Sequence, residues 1–261
     1  MTAIDASYDL AVIGGGPAGV ATVLAARALQ PQGRLLWCRG PETVGRGFLP
    51  AYGGNSLVHR LNVPVERMGL DAEAPVDFFD WLRREHPGRE VVPGQFVSRR
   101  WFGEYLEARL AGVDASSRFG TVGALRKDGD LWRIDLGELG SDGHGTSAPR
   151  ARRVTLCLGM PAGLPMPNAP RHWVSDSWAW WRALPAQGVP LRDNDTVLVV
   201  GSGLTAVDMV LGLRERGFRG PIRAVSPGGR WSQAHAPAAP LTPDVREALD
   251  EALDEASSAR D

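Results

Sequence analysis

Gly14-Gly15-Gly16-Pro17-Ala18-Gly19 has the spacing G-x-G-x-x-G. It lies between an apolar run, Leu10 to Ile13, and a small-residue segment of helical period, Ala18 to Leu29. Strand, glycine turn and helix in that order can hold a dinucleotide pyrophosphate. Gly14 makes the turn, and Gly16 leaves room for the phosphates to approach the backbone. Gly19 lets the helix pack closely on the strand, and Pro17 and Ala18 open the helix whose free N–H groups and partial positive charge face the anion. The same grammar returns 187 residues later: Asp195 to Val200 reads as an apolar strand, Gly201-Ser202-Gly203-Leu204-Thr205-Ala206 as G-x-G-x-x-A, Leu204 to Arg216 as a helix, and Ile222 to Val225 as a further strand. A glycine-rich structural turn is the alternative for either segment alone. Two such turns in one chain weigh against coincidence.

The strand after the first helix, Arg34 to Cys38, should end in an acid that holds the adenosine ribose hydroxyls. Cys38-Arg39 stands there instead, with Glu42 three residues on. Either Glu42 substitutes, or Arg39 takes a phosphate, or the site has decayed, or Arg39 is a plain surface arginine. In the second unit the corresponding strand ends at Ser226, with Arg223 and Arg230 nearby, which tilts the expectation toward NADPH over NADH.

The elements that must position these turns fit a chain of 261 residues, enough for one large or two small domains. A hydrophobic fraction of 43% and a net charge of −1 describe an ordinary globular balance, with no electrostatic case for nucleic acid or an anionic membrane. Basic residues are almost all arginine, Lys127 being the sole lysine. No apolar run approaches the roughly 18 residues of a membrane span, and the N-terminus has no signal-peptide pattern. A reducing cytoplasm is the default expectation. The two cysteines, Cys38 and Cys157, form no C-x-x-C, which argues against dithiol chemistry, and the five histidines form no metal-ligand cluster.

Helical patterning covers Val76 to Glu85, with Phe78, Phe79 and Leu82 on one face, and Phe96 to Leu110, with Ser98 as a candidate cap. Leu131 to Leu136 alternates as a half-exposed strand. Val154 to Gly159 reads as a buried strand ending in glycine, followed by the proline-rich linker Pro161 to Pro170. Trp173, Trp178, Trp180 and Trp181 follow, either as packing residues on a helical turn or as an aromatic ligand site. Thr242 to Ala256 reads as a solvent-facing helix. The fold class expected is α/β: a Rossmann-type FAD-binding domain with a small β-meander over residues 1–190, then a partial second Rossmann-type NAD(P)-binding unit and tail over 191–261.

Two such turns resemble those of the two-dinucleotide-domain flavoproteins. More narrowly, the chain resembles the bacterial FAD/NAD(P)-binding protein family related to flavin monooxygenases and N-hydroxylases. Gly45-Arg46-Gly47 through Tyr52 is similar to the family's glycine-arginine-glycine loop, and His59 through Pro64 to its His-Leu-Leu-Asn-Val-Pro segment near the flavin. Phe96 through Leu106 resembles a Phe-x-x-Arg-Arg-x-x-Gly-x-Tyr-Leu segment, and Val199 through Asp208 the second fingerprint. Ser226, Gly229 and His235 fit a Ser-Arg-Arg-Gly…His stretch, with Pro227 and Gly228 in place of the arginines.

The resemblance implies FAD in the first unit and NAD(P)H in the second, with Arg46, Gly47, Asn62, Val63 and Gly159 added to the cofactor-binding residues. It also makes His59 and Asn62 the catalytic candidates, as hydrogen-bonding groups at the flavin edge. The plainer reading makes His59 a loop cap and Asn62 a turn residue. Hydride from NAD(P)H would reduce the flavin, and reduced flavin with O2 hydroxylates soft or nitrogenous centres. The expected function is an FAD-dependent monooxygenase acting on a small nitrogen-containing metabolite, a purine-like heterocycle such as urate or an amine. An NAD(P)H–flavin reductase or oxidase is the second expectation, and a non-catalytic nucleotide-binding remnant the third. Family members commonly continue beyond this length, which predicts a shortened member, a fragment, a homo-oligomer or a partner chain completing the flavin site.

Overall fold

The computed structural model describes residues 7–40, 52, 56–71, 73–138, 148–159, 166–184 and 188–234. Glu42, Arg46, Gly47 and the Thr242–Ala256 segment lie outside these described residues.

Strand β1 (Ser7–Ile13) is central in the first sheet, running parallel to β2 (Leu35–Arg39) on one side and to β5 (Arg150–Leu156) on the other. Helix α1 (Pro17–Leu29) makes the crossover between β1 and β2. Side chains alternate across a strand, so β1 and β2 feed two cores. Val12, Leu35 and Trp37 join Val20 and Val23 of α1 in a cluster on the helical face. Ala11, Ile13, Leu36 and Cys38 point the other way and meet Ile134 and Ala151. Burial on both faces is the condition that stabilises a parallel sheet.

The second face is covered by a hairpin. Strand β3 (Ser116–Asp128) first pairs in parallel with β2, Leu36 opposite Ser116 through Arg39 opposite Phe119. It then turns antiparallel to β4 (Leu131–Glu138), with a register shift between Val122 and Ala124. Strand β4 reaches β5 through Trp132–Ala151 and Arg133–Arg150, so the five strands close into a barrel. This hairpin is the predicted meander.

Helix α2 (Asp77–Glu85) and helix α3 (Arg99–Leu110) follow the predicted periodicity. Phe78 and Leu82 are fully buried, and Phe79 packs against the same cluster. Phe78, Phe102 and Tyr105 interlock with ring centroids 5.1–5.7 Å apart. Ser98 caps α3, its side chain accepting from the Arg100 N–H at 3.3 Å.

One expectation is corrected. The strand read as buried at Val154 to Gly159 begins at Arg150, ends at Leu156 and is only half-buried, with Leu156 and Leu158 exposed. It pairs along its length with β1, but β4 meets it only at Arg150 and Ala151. Its C-terminal half therefore has an open edge among the described residues.

The second unit is β6 (Val197–Val200), helix α5 (Leu204–Glu215) and β7 (Ile222–Val225), with β6 and β7 parallel. Helix α5 buries Ala206, Asp208, Met209, Gly212 and Leu213. Leu198 and Val200 are 62% and 59% exposed, because the face of β6 away from α5 has no covering layer among the described residues. A short helix, α4 (Ser177–Ala183), lies between the units, with Asp176 Oδ1 accepting from the Ala179 N–H at 2.8 Å.

Candidate dinucleotide sites

The two glycine turns share one backbone path. Gly14 and Gly201 both have positive φ, +124° and +106°, where a side chain would be strained. Each donates its N–H to the end of the neighbouring parallel strand, Gly14 to Cys38 O at 2.9 Å and Gly201 to Val225 O at 2.8 Å. The residue before each helix is extended, Gly16 at φ −79°, ψ −177° and Gly203 at φ −74°, ψ −176°. Neither has a side chain to cap the helix, so the first-turn N–H groups of Ala18 and Gly19, and of Leu204 and Thr205, have no intrahelical acceptor.

The glycines divide into two roles. A Cβ at Gly19 would lie 2.0 Å from Gly14 O, and one at Gly14 2.0 Å from Cys157 O. Those two positions are closed by the protein itself. Gly16, Gly201 and Gly203 have nothing within 4 Å of an added Cβ. There the backbone faces open space that a phosphate can enter. Trp37 braces the first turn by donating its indole N–H to Gly14 O at 2.8 Å. Gly159 follows β5 at φ +71° with open space beside it.

Arg39 ends β2, where the ribose-binding acid was expected. Its guanidinium lies 4.4 Å from the Trp37 ring centroid and 5.2 Å from that of Phe119. Burial lowers its pKa, with Glu107 opposing. The C-terminal end of β2 thus carries a cation held over two aromatic rings. In the second unit, Ser202 O accepts from both the N–H and the hydroxyl of Ser232, at 3.3 and 3.1 Å, which ties the exposed segment carrying Arg230 to the turn. No sequence signal marked Ser232.

The His59-to-Pro64 segment runs beside Gln95 to Arg99: Leu61 donates to Val97 O and Val65 to Gln95 O, both at 2.9 Å. Asn62 is exposed and borders a cavity of about 140 Å³ between the units, and Val63 is half-buried. Arg60 and Leu61 line that cavity from the first unit, and Leu204, Val207 and Leu211 from α5. His59 is buried against the second unit, its Nε2 3.0 Å from the backbone carbonyl of Asp208. Trp178 and Trp181 flank it edge-on, each with its centroid 5.4 Å from the imidazole. Burial lowers the pKa of His59, while Asp208 opposes. The structure therefore places Asn62 on the cavity between the units, beside Leu204 at the start of α5, and draws His59 into the joint with that helix. A larger cavity, about 380 Å³, opens at Asp9, Leu10 and Arg34 near the N-terminal ends of β1 and β2. Sheets of this kind bind ligands at the opposite, carboxyl ends.

These features define a dinucleotide-binding α/β protein with two pyrophosphate turns. The profile of the FAD-NAD(P)-binding family matches residues 11–161, more than half of the chain, and the chain belongs to that family. No match was found among curated proteins. Among solved structures, the chain is similar to the ornithine N-hydroxylase KtzI of Kutzneria sp. 744, with 20% identity, a TM-score of 0.63, and coverage of 97% of this chain and 62% of that one. It is similar to the bacillithiol disulfide reductase Bdr (YpdA) of Staphylococcus aureus, at 14% identity and TM-score 0.53, covering 95% and 64%. It is also similar to the cadaverine monooxygenase DfoA of Erwinia amylovora, at 16% identity and TM-score 0.57, covering 84% and 51%. These likenesses show the fold. The chain spans less than two thirds of the length of each of these proteins.

The first turn, inside the family match, has features that suit a dinucleotide pyrophosphate: open backbone at Gly16 and first-turn N–H donors, with the Gly14 carbonyl held by Trp37. The second turn shares the open backbone, at Gly203, and the uncapped first-turn N–H groups.

Proposed function

We propose that this chain binds FAD at Gly14–Gly19 and NAD(P)H at Gly201–Thr205, and serves an oxidoreductase that hydroxylates a small nitrogen-containing metabolite, an amine or a purine-like heterocycle. The observation that supports it is the repeated glycine turn with open space at Gly16 and at Gly203, together with an inter-unit cavity bordered by Asn62 and by Leu204, the first residue of the helix after the second turn. Bound FAD supplies hydride acceptance and, with O2, oxygen transfer.

The chain's own residues do the rest. N–H groups at Ala18 and Gly19 hold one pyrophosphate, and those at Leu204 and Thr205 hold the other. The Asn62 amide can donate to or accept from a group in the cavity, whose walls combine Leu61, Leu204, Val207 and Leu211 with the charged Arg60, Arg99 and Asp208. Arg39, its guanidinium over the Trp37 ring, is placed for the adenosine end, and the exposed Arg230 is available to a phosphate on the second nucleotide. A reductase without hydroxylation is the second reading, and the lack of a C-x-x-C between Cys38 and Cys157 argues against a dithiol relay.

The test is a visible absorption spectrum of the purified protein with FAD, before and after anaerobic NADPH, followed by product analysis with candidate amines and purines in air. Bleaching by NADPH and recovery in air are expected, with a hydroxylated product. A protein that takes up no flavin refutes the proposal. Peroxide formation without a hydroxylated product selects the reductase reading.

A further inference from the structure

Asp208 lies four residues past Leu204 in α5 and is buried, an expensive place for a carboxylate. Its Oδ2 is 2.8 Å from Nη2 of Arg99, the first residue of α3 in the other unit. The side chains are 8% and 16% exposed, so little solvent screens the pair. Arg99 is itself anchored, its Nε donating to Arg60 O at 2.7 Å and its backbone N–H to His59 O at 2.9 Å. The guanidinium also lies 5.6 Å from the Trp178 ring centroid. The backbone carbonyl of the same Asp208 meets His59 Nε2. Asp208 of α5 is therefore held by His59, on the segment that leads to Asn62, and by Arg99, which is bonded to the same segment.

The back of α5 is keyed as well. A Cβ at Gly212 would come within 2.5 Å of Trp181 Cη2, so the indole of α4 fits a notch that only glycine leaves. Arg216 covers that indole at 3.8 Å from its centroid. A buried ion pair of this kind is weak evidence for stability, because desolvation offsets its Coulomb gain. Its geometric effect is to tie the first residue of α3 to α5 at a direct charge contact.

We propose that Arg99 and Asp208 are positioning residues, an inter-unit clamp that sets the Leu204 end of α5, and with it the nicotinamide nucleotide, against the Asn62 segment of the flavin unit. This rests on the proposed FAD and NAD(P)H reading. The clamp acts on hydride delivery: neither residue lies in a pyrophosphate turn, and both border the inter-unit cavity beside Asn62 and Leu204.

Asp208→Asn and Arg99→Lys test it in the full chain. Hydrogen exchange of the apo proteins reads the joint without cofactor, and stopped-flow reads flavin reduction. For Asp208→Asn, amides of α4 and α5 should exchange faster while those of α1 keep their protection. Flavin affinity and the NADPH concentration for half-maximal rate should stay within about twofold, and reduction by dithionite should be unchanged. The maximal rate of NADPH-driven reduction should fall roughly 10- to 100-fold, the scale of a misplacement near 1 Å. Arg99→Lys, which retains the charge, should recover part of that loss, and it carries the same test if Asp208→Asn does not fold. Unchanged exchange in α4 and α5 overturns the clamp whatever the redox result. Faster exchange with a wild-type reduction rate overturns its role in hydride delivery. A wild-type protein that binds FAD but is not reduced by NADPH refutes the functional reading and, with it, that role; the exchange comparison still decides whether the pair fixes the joint.

Discussion

Replacing Gly16 by alanine separates ligand recognition from folding. Gly16 is extended at φ −79°, ψ −177°, a conformation alanine adopts freely, and its new Cβ would touch nothing within 4 Å. The apo protein should therefore keep its stability or gain about 0.4–1 kcal/mol, because alanine reduces the freedom of the unfolded chain. For a domain of this size that is a rise of roughly 1–4 °C in Tm. The open space is where the pyrophosphate must come against the backbone. A methyl group there imposes an overpacking cost of about 1–3 kcal/mol on the complex alone. FAD affinity should fall roughly 5- to 150-fold. Gly19→Ala is the counterpart, since its Cβ would sit 2.0 Å from Gly14 O and 3.4 Å from Trp37 Nε1. Backbone must move, and the apo protein should lose about 1–3 kcal/mol before any ligand is added. Thermal unfolding of the apo variants and FAD titration followed by flavin fluorescence measure both quantities. Gly16→Ala binding FAD like the wild type would refute the pyrophosphate assignment. Gly16→Ala destabilising the apo protein as much as Gly19→Ala would refute the division of roles among the glycines.

Acid should loosen the joint. Burial holds His59 below its ordinary 6.5, so the unfolded chain takes up the proton first, and stability present above 6.5 is lost as the pH falls toward the folded value. The buried carboxyl of Asp208 is raised above 3.8 and contributes the opposite slope, losing stability as the pH rises through its own window. The difference between wild type and His59→Gln from roughly pH 7.5 to pH 5 isolates the histidine, and a wild-type midpoint that rises on acidification relative to the variant would contradict the buried neutral imidazole. Thiol modification should be equally asymmetric. Cys38 is buried with its thiol pushed up to about 11, so a neutral-pH disulfide reagent should modify only Cys157 in the native state and both thiols in denaturant. Rapid native modification of Cys38 would mean that the face between β2 and the hairpin opens.

Much of the nucleotide-binding frame was legible because it depends on local rules. Period-2 and period-3.6 patterning located β1, α1, α2, α3 and α5 within a few residues, and glycines at fixed offsets marked both turns. Ser98 was legible as a cap because capping is local chemistry. Burial of β5 was not, because burial depends on which strands arrive on either side, and β4 reaches only Arg150 and Ala151. The tryptophan group was ambiguous for the same reason: Trp181 packs into the Gly212 notch, a relation between residues of two different helices.

The sequence by itself determined the two turns, since a phosphate cradle needs particular residue types at particular local spacings. The tertiary structure alone decided what the residues between them do. His59 and Asn62 are three positions apart, yet one is sealed against α5 and the other borders the inter-unit cavity. Arg99 and Asp208 each lie in a stretch the sequence singled out, but nothing in the chain marked them as partners, which they became only when α3 met α5. Local propensity acts over a few residues, whereas the pairing and desolvation of these charges depend on surfaces that adjoin only after the two units fold against each other.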